Sequence, residues 1–185
     1  MDARLGRKFT HIILLLAGAL WIWFSRITPQ DALAGNIIAP RPGFQAPDFD
    51  LPTSQGAQIA LSSLRGQPVI INLWASWCPP CREEMPALQK VYDSYHEQGL
   101  EILAVNATSQ DDVQAAIEFS TRLGLTFPIL FDRDSRVSRL FQLQSLPTTY
   151  FVGRDGLIQE VVVGGPMTEA LLRIRVERLL GVPSP

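Results

Sequence analysis

An α/β fold, with a mixed central sheet flanked by helices, is what this sequence predicts, and three observations carry the prediction. A continuous apolar run over residues 69–74 leads directly into a segment whose apolar residues recur at helical spacing. A second such pairing, strand-like 100–106 and then an amphipathic stretch from Val113, repeats the alternation. Near the C-terminus two β-rich runs flank Gly153-Arg154-Asp155-Gly156, an Asp-Gly hairpin signal that turns the last strands antiparallel.

The elements follow in order. Ala46-Pro47-Asp48-Phe49 opens the domain. Asp50-Leu51-Pro52 and Gln58-Ile59-Ala60-Leu61 read as short edge strands around a turn at Ser54-Gln55-Gly56, because Pro52 cannot donate to an inner ladder. Residues 69–74 are apolar throughout except Asn72, as a strand covered on both faces should be. Met85, Leu88, Val91, Tyr92 and Tyr95 share one helical face, and that helix ends near Gly99. Residues 100–106 supply a second central strand. Val113, Ala116, Ile117, Ser120 and Leu123 mark a helix closed by Gly124. Residues 128–131 suit a short strand, and Val137, Leu140 and Phe141 a short helix. The hairpin pairs residues 148–152 with 157–163. Thr168 can cap a last helix, with Glu169 favourable in its first turn and Gly181 and Pro183 beyond its end.

The 185 residues suit one domain with an extension, at 46% apolar, 18% charged and a net charge of −2. Its basic residues form no patch interleaved with aromatics, which argues against nucleic-acid binding. The extension is N-terminal. Arg4, Arg7 and Lys8 precede a span from Phe9 to Ser25 in which His11 is the only ionisable side chain. A basic stretch followed by an apolar one is an export signal in form, and Trp21 and Trp23 suit a membrane interface. The expected organisation is a cytoplasmic basic segment 1–8, a signal-anchor or transmembrane helix 9–27, a linker 28–43 rich in proline and glycine, and a domain 44–183. The alternative is cleavage after Ala34, giving a soluble exported protein. Either way the domain lies outside the cytoplasmic membrane, where disulfides persist.

The chain has two cysteines, in Trp77-Cys78-Pro79-Pro80-Cys81. Such a pair can be a structural disulfide, a redox centre or half a metal site. Its place between an apolar strand and a helix favours redox chemistry, because a helix N-terminus stabilises a thiolate. Pro79 and Pro80 lack N–H groups, so Cys81 alone can donate to Cys78 in the first turn. That predicts a modestly acidified thiol. A metal site would want further Cys, His or Met ligands; the two histidines, His11 and His96, lie elsewhere, so no metal is expected.

With these residues in place, the sequence resembles the thioredoxin superfamily. Trp74-Ala75-Ser76-Trp77-Cys78-Pro79-Pro80-Cys81 is similar to its active-site segment, Ser145-Leu146-Pro147-Thr148-Thr149 to its cis-proline loop, and Pro86 to the proline that kinks its active-site helix. Gly164-Gly165 fits the small residues that pack near the site. Within the superfamily it resembles the membrane-anchored TlpA/ResA/DsbE-type thiol-disulfide oxidoreductases. Asn72 stands where ordinary thioredoxins carry a buried Asp, a helix–strand insertion spans roughly residues 110–132, and Glu84 matches a functional glutamate.

The resemblance implies a thioredoxin-like fold with an extra N-terminal β-hairpin and that insertion. It implies protein-disulfide reduction without a cofactor, through a redox-active Cys78–Cys81 pair. Cys78 would attack, Cys81 would resolve, and Glu84 would take a proton, although spacing alone reads Glu84 as a solvated charge. Trp77, Pro79, Leu146 and a cis Pro147 would meet substrate, and Asn72 and Pro86 would support the site, Asn72 by bonding nearby backbone. The implied partners are a protein dithiol or disulfide, such as apocytochrome c, and a thiol reductant in the membrane. The alternatives are a general extracytoplasmic disulfide oxidoreductase, a peroxiredoxin-like antioxidant suggested by Ala46 to Leu51 but opposed by Ala75, a copper chaperone, and a binding domain.

Overall fold

In the computed structural model the described residues are 37–181, together with Leu16 and Trp21. The basic segment 1–8, the anchor 9–27 and the cleavage site at Ala34 fall outside them, apart from those two positions. Among the described residues, no helix is long and apolar enough to cross a membrane.

The element order is the expected one: β1 (Asp50–Pro52), β2 (Gln58–Ala60), β3 (Val69–Trp74), α1 (Pro79–Tyr95), β4 (Glu101–Asn106), α2 (Val113–Arg122), β5 (Ile129–Phe131), α3 (Arg136–Leu140), β6 (Thr148–Val152), β7 (Ile158–Val163) and α4 (Glu169–Leu180). Five strands form a mixed sheet in the order β5-β4-β3-β6-β7. β4 runs parallel to β3 and β5, while β6 runs antiparallel to β3 and β7. β1 and β2 make a separate antiparallel hairpin, joined to β5 by a single bridge between Thr53 and Leu130. Residues 37–46, where turn-formers cluster, bond to β7 and its turn through Gly43 N to Ile158 O, Ile158 N to Phe44 O and Ala46 N to Gly156 O.

β3 is buried at every position because it lies mid-sheet and is covered on both faces. Alternation divides its side chains between two cores. Ile70 and Trp74 pack with Met85, Leu88 and Val91 of α1, with Phe119 of α2, and with Leu172 and Val176 of α4. Val69, Ile71 and Leu73 pack on the opposite face with Phe49, Leu51, Val137 and Phe141. Each such aliphatic side chain contributes about 1.5–3 kcal/mol by leaving water. Asn72 shares the period of Ile70 and Trp74, so the strand aims its one polar side chain at α1.

α1 starts where β3 delivers it. Cys78 is its N-cap, Pro79 and Pro80 fill the first two helical positions, and Pro86 lies inside it. Pro86 has no N–H for the Arg82 carbonyl, which loosens the ladder one turn past the cysteines. The helix tightens into a 3-10 turn over His96–Gln98, and Gly99, at φ +92°, reverses the chain into β4. The insertion contributes α2 and β5. Asp112 caps α2 by accepting from Ala115 N at 2.8 Å, and Thr168 caps α4 by accepting from Leu171 N.

Candidate active site

Cys78 and Cys81 are joined as a disulfide, with Cα atoms 5.3 Å apart. Cys81 N donates to Cys78 Sγ at 3.3 Å. This is the one amide that the double proline leaves available in the turn. Cys78 is the more exposed sulfur-bearing residue, but only at 3% against 0% for Cys81. Access comes through a groove of about 330 Å³ with Trp77, Cys78, Pro79 and Pro80 on one side and Gln110 and residues 143–146 on the other. Among the described residues none that lines it is charged. The Leu146–Pro147 peptide is cis, Leu146 lines the groove, and Gly164 N donates to Pro147 O at 2.8 Å.

Behind the disulfide lies a buried polar cluster. Glu84 is fully buried, so the solvated-charge reading that spacing suggests is wrong: α1 turns this side chain toward β3. Its Oε1 accepts from Asn72 Nδ2 at 2.8 Å, and its Oε2 accepts from Met167 N at 3.2 Å. Burial pushes the Glu84 carboxyl above the usual carboxylate range, and the Met167 and Asn72 hydrogen bonds pull it back by less. Asn72 also donates to Thr149 Oγ1 at 2.9 Å. The expectation that Asn72 bonds backbone is therefore corrected. Thr149 lies directly opposite it on β6 and Glu84 faces it from α1, so side chains reach it first. Among the described residues Asn72 Oδ1 has no partner. Gly165 closes the cluster: a Cβ there would sit 2.8 Å from both Glu84 Oε2 and Pro147 Cγ. The close approach that requires glycine thus brings Glu84 and the cis-proline loop together.

Trp74 and Trp77 divide as the sequence suggests, the first at 0% exposure and the second at 55%. Sequence reasoning missed what holds Trp77. Its indole N–H donates to Gln110 O at 2.7 Å. Asp111 accepts from Ser76 N and Ser76 Oγ, both at 2.6 Å, and from Asn106 Nδ2 at 2.7 Å. A polar pair at the end of a strand and the start of an insertion carries no periodicity to betray it. Among the described residues no group of three or more His, Cys, Asp or Glu side chains could hold a metal ion.

A Cys-x-x-Cys disulfide at the N-cap of the helix after a central strand, facing a cis-proline loop on the neighbouring strand, defines a thioredoxin-like thiol-disulfide exchange protein. The AhpC/TSA family model matches residues 42–161, and the chain belongs to that family in its thioredoxin-like form. It is 36% identical to the thiol-disulfide oxidoreductase ResA of Geobacillus kaustophilus, over 89% of this chain and 90% of the relative. Among solved structures it is similar to StoA from Bacillus subtilis, with a TM-score of 0.62 and 30% identity over 71% of this chain and 97% of that one. It is also similar to a thiol:disulfide interchange protein of Chlorobium tepidum, with a TM-score of 0.69 and 26% identity over 76% and 98%. The chain is an enzyme of this class, a thiol-disulfide oxidoreductase.

Proposed function

We propose that the chain reduces disulfides of protein substrates outside the cytoplasmic membrane, tethered by its N-terminal segment, and that it serves cytochrome c maturation. The observation that carries the reading is the placement of Cys78. Cys78 lines an uncharged groove that Leu146 lines with it, and the buried Glu84 lies one helical turn beyond Cys81.

In the reduced enzyme the Cys78 thiolate attacks one sulfur of the substrate disulfide. A Cys78–substrate bond forms and the other substrate sulfur leaves as a thiolate. The Cys81 thiol then loses its proton to Glu84 and attacks Cys78 Sγ. The Cys78–substrate bond breaks, the two substrate thiolates take one proton from Glu84 and one from water, and the substrate leaves as a dithiol, two electrons richer, with the enzyme left as the Cys78–Cys81 disulfide. A membrane thiol reductant restores the dithiol. Glu84 suits the proton step because a carboxyl with a raised pKa exchanges protons nearer neutral pH. Trp77, Pro79, Leu146 and Pro147 bind the substrate segment; Asn72 and Pro86 support the site.

The test is to trap partners covalently with Cys81→Ala in the full chain, expressed in its native membrane. Recovery of apocytochrome c through Cys78 supports the maturation role. A broad set of exported proteins overturns it in favour of general disulfide handling. Peroxide consumption by the wild-type protein would instead support the antioxidant alternative.

A further inference from the structure

The loop entering the dithiol is pinned by the insertion. The Ser76 peptide is held from both ends: Asp111 Oδ2 accepts from its N–H at 2.6 Å, and the Arg82 guanidinium donates to its carbonyl at 2.9 Å. Asp111 Oδ1 accepts from Ser76 Oγ at 2.6 Å. The same carboxylate accepts from Asn106 Nδ2 at 2.7 Å and from Asp112 N at 2.9 Å. An ionised carboxylate has about four acceptor sites, so these donors occupy it fully. Bonds to a charged acceptor are also about twice as strong as neutral ones. One residue before Asp111, the Gln110 carbonyl fixes the Trp77 indole.

Trp77 is the exposed aromatic of this assembly, at the edge of two hollows. One is the groove beside Cys78. The other is a wider hollow of about 620 Å³, formed with Pro79, Arg82, Glu83, Phe119 and Leu123. The Arg82 guanidinium lies 4.7 Å from the Phe119 ring centroid and braces that second wall. An exposed aromatic that is free to rotate must be ordered when a partner packs on it, and ordering it beforehand removes that cost. A polypeptide large enough to touch Trp77 gains from this. A small disulfide that meets only Cys78 Sγ does not.

We propose that Asp111 is a specificity-determining positioning residue: by clamping Ser76 to the insertion, it holds Trp77 where a peptide disulfide packs on it, and so favours polypeptide over small-molecule disulfides. The proposal rests on the dithiol reading given above. Asp111 touches neither sulfur nor substrate; it acts through Ser76 and Trp77.

The test compares two probes on the full chain, in pre-reduced form. One is a synthetic peptide closed by a single Cys-x-x-Cys disulfide, and the other is 5,5′-dithiobis(2-nitrobenzoate). Asp111→Ala is expected to slow peptide reduction by about tenfold more than it slows the aromatic disulfide, the upper end of the cost of ordering one freed side chain on binding. In a Trp77→Ala background that selectivity should vanish, an outcome that a merely structural role would not produce. Asp111→Asn and Ser76→Ala each remove part of the clamp and should show a smaller selectivity of the same sign, which keeps the test decisive if Asp111→Ala does not fold. Equal losses on both probes, or selectivity that survives in Trp77→Ala, would overturn the proposal. A wild-type protein inert toward both probes would overturn the dithiol reading itself.

Discussion

Two carboxylates flank the dithiol, and their surroundings are opposites. Asp111, on the outer side, accepts from Ser76 N, Ser76 Oγ, Asn106 Nδ2 and Asp112 N. Glu84, on the inner side, is fully buried and, among the described residues, has only Asn72 Nδ2 and Met167 N as donors, beside an Asn72 oxygen that has no partner among them. A carboxylate with its lone pairs satisfied is a fixed strut. One that is buried and under-solvated is a group whose proton is easily retained. The same functional group therefore supplies rigidity on one side of the cysteines and proton exchange on the other.

The largest effect removes what both carboxylates serve. Cys78→Ser is expected to abolish turnover with either cluster intact, checked by peptide-disulfide reduction. Next comes the inner group. Glu84→Gln is expected to slow resolution of the mixed disulfide by about 10²-fold, the usual scale for a lost proton-transfer group. Stopped-flow kinetics would read it, and a loss no larger than that of Asp111→Asn would break the contrast.

The same variant tests the pH sign. Because burial raises the Glu84 pKa in the folded chain, the native state holds more protons than the unfolded one between the ordinary carboxylate value and the raised one. Glu84 therefore favours the fold below that window, and the benefit is lost as pH rises through it. Urea unfolding of Glu84→Gln across that range should show a flatter pH dependence than the wild type.

A third substitution crowds the inner cluster without touching its chemistry. Gly165→Ala places a methyl 2.8 Å from Glu84 Oε2 and Pro147 Cγ. It should cost about 1–3 kcal/mol as overpacking, measured by urea melts. The smallest effect sharpens the outer side. Asp112, next to Asp111, caps α2 through Ala115 N. Asp112→Ala should cost about 1 kcal/mol of stability while leaving the ratio of peptide to small-disulfide reduction where it is in the wild type.

What was legible in the sequence followed local chemistry. Apolar period, caps and turn-formers place every strand and α-helix of the domain in order, though not the 3-10 turns at Leu61–Leu64 and Thr108–Gln110, and the prolines after Cys78 foretell that Cys81 alone donates to its sulfur. Contacts between distant segments were not legible. Ser76 and Asp111 are 35 positions apart, and nothing in either neighbourhood points to the other. Glu84 illustrates the boundary. Its spacing beside Arg82 and Glu83 suggests solvent, and only the family resemblance suggested a functional role. Burial was decided by Met167 and Gly165, which arrive from beyond β7. Asn72 was recognisable as a polar break in a buried strand, but its partners depended on the register of β3 against β6.

The paired prolines that open α1 also make the site observable. They contribute no amide signal to a proton–nitrogen correlation spectrum, so the first turn after Cys78 is represented by the Cys81 amide alone. That amide donates to the Cys78 sulfur, and its resonance reports directly on the electron density there. A titration following this single peak would read the charge state of the attacking sulfur with no label attached to it.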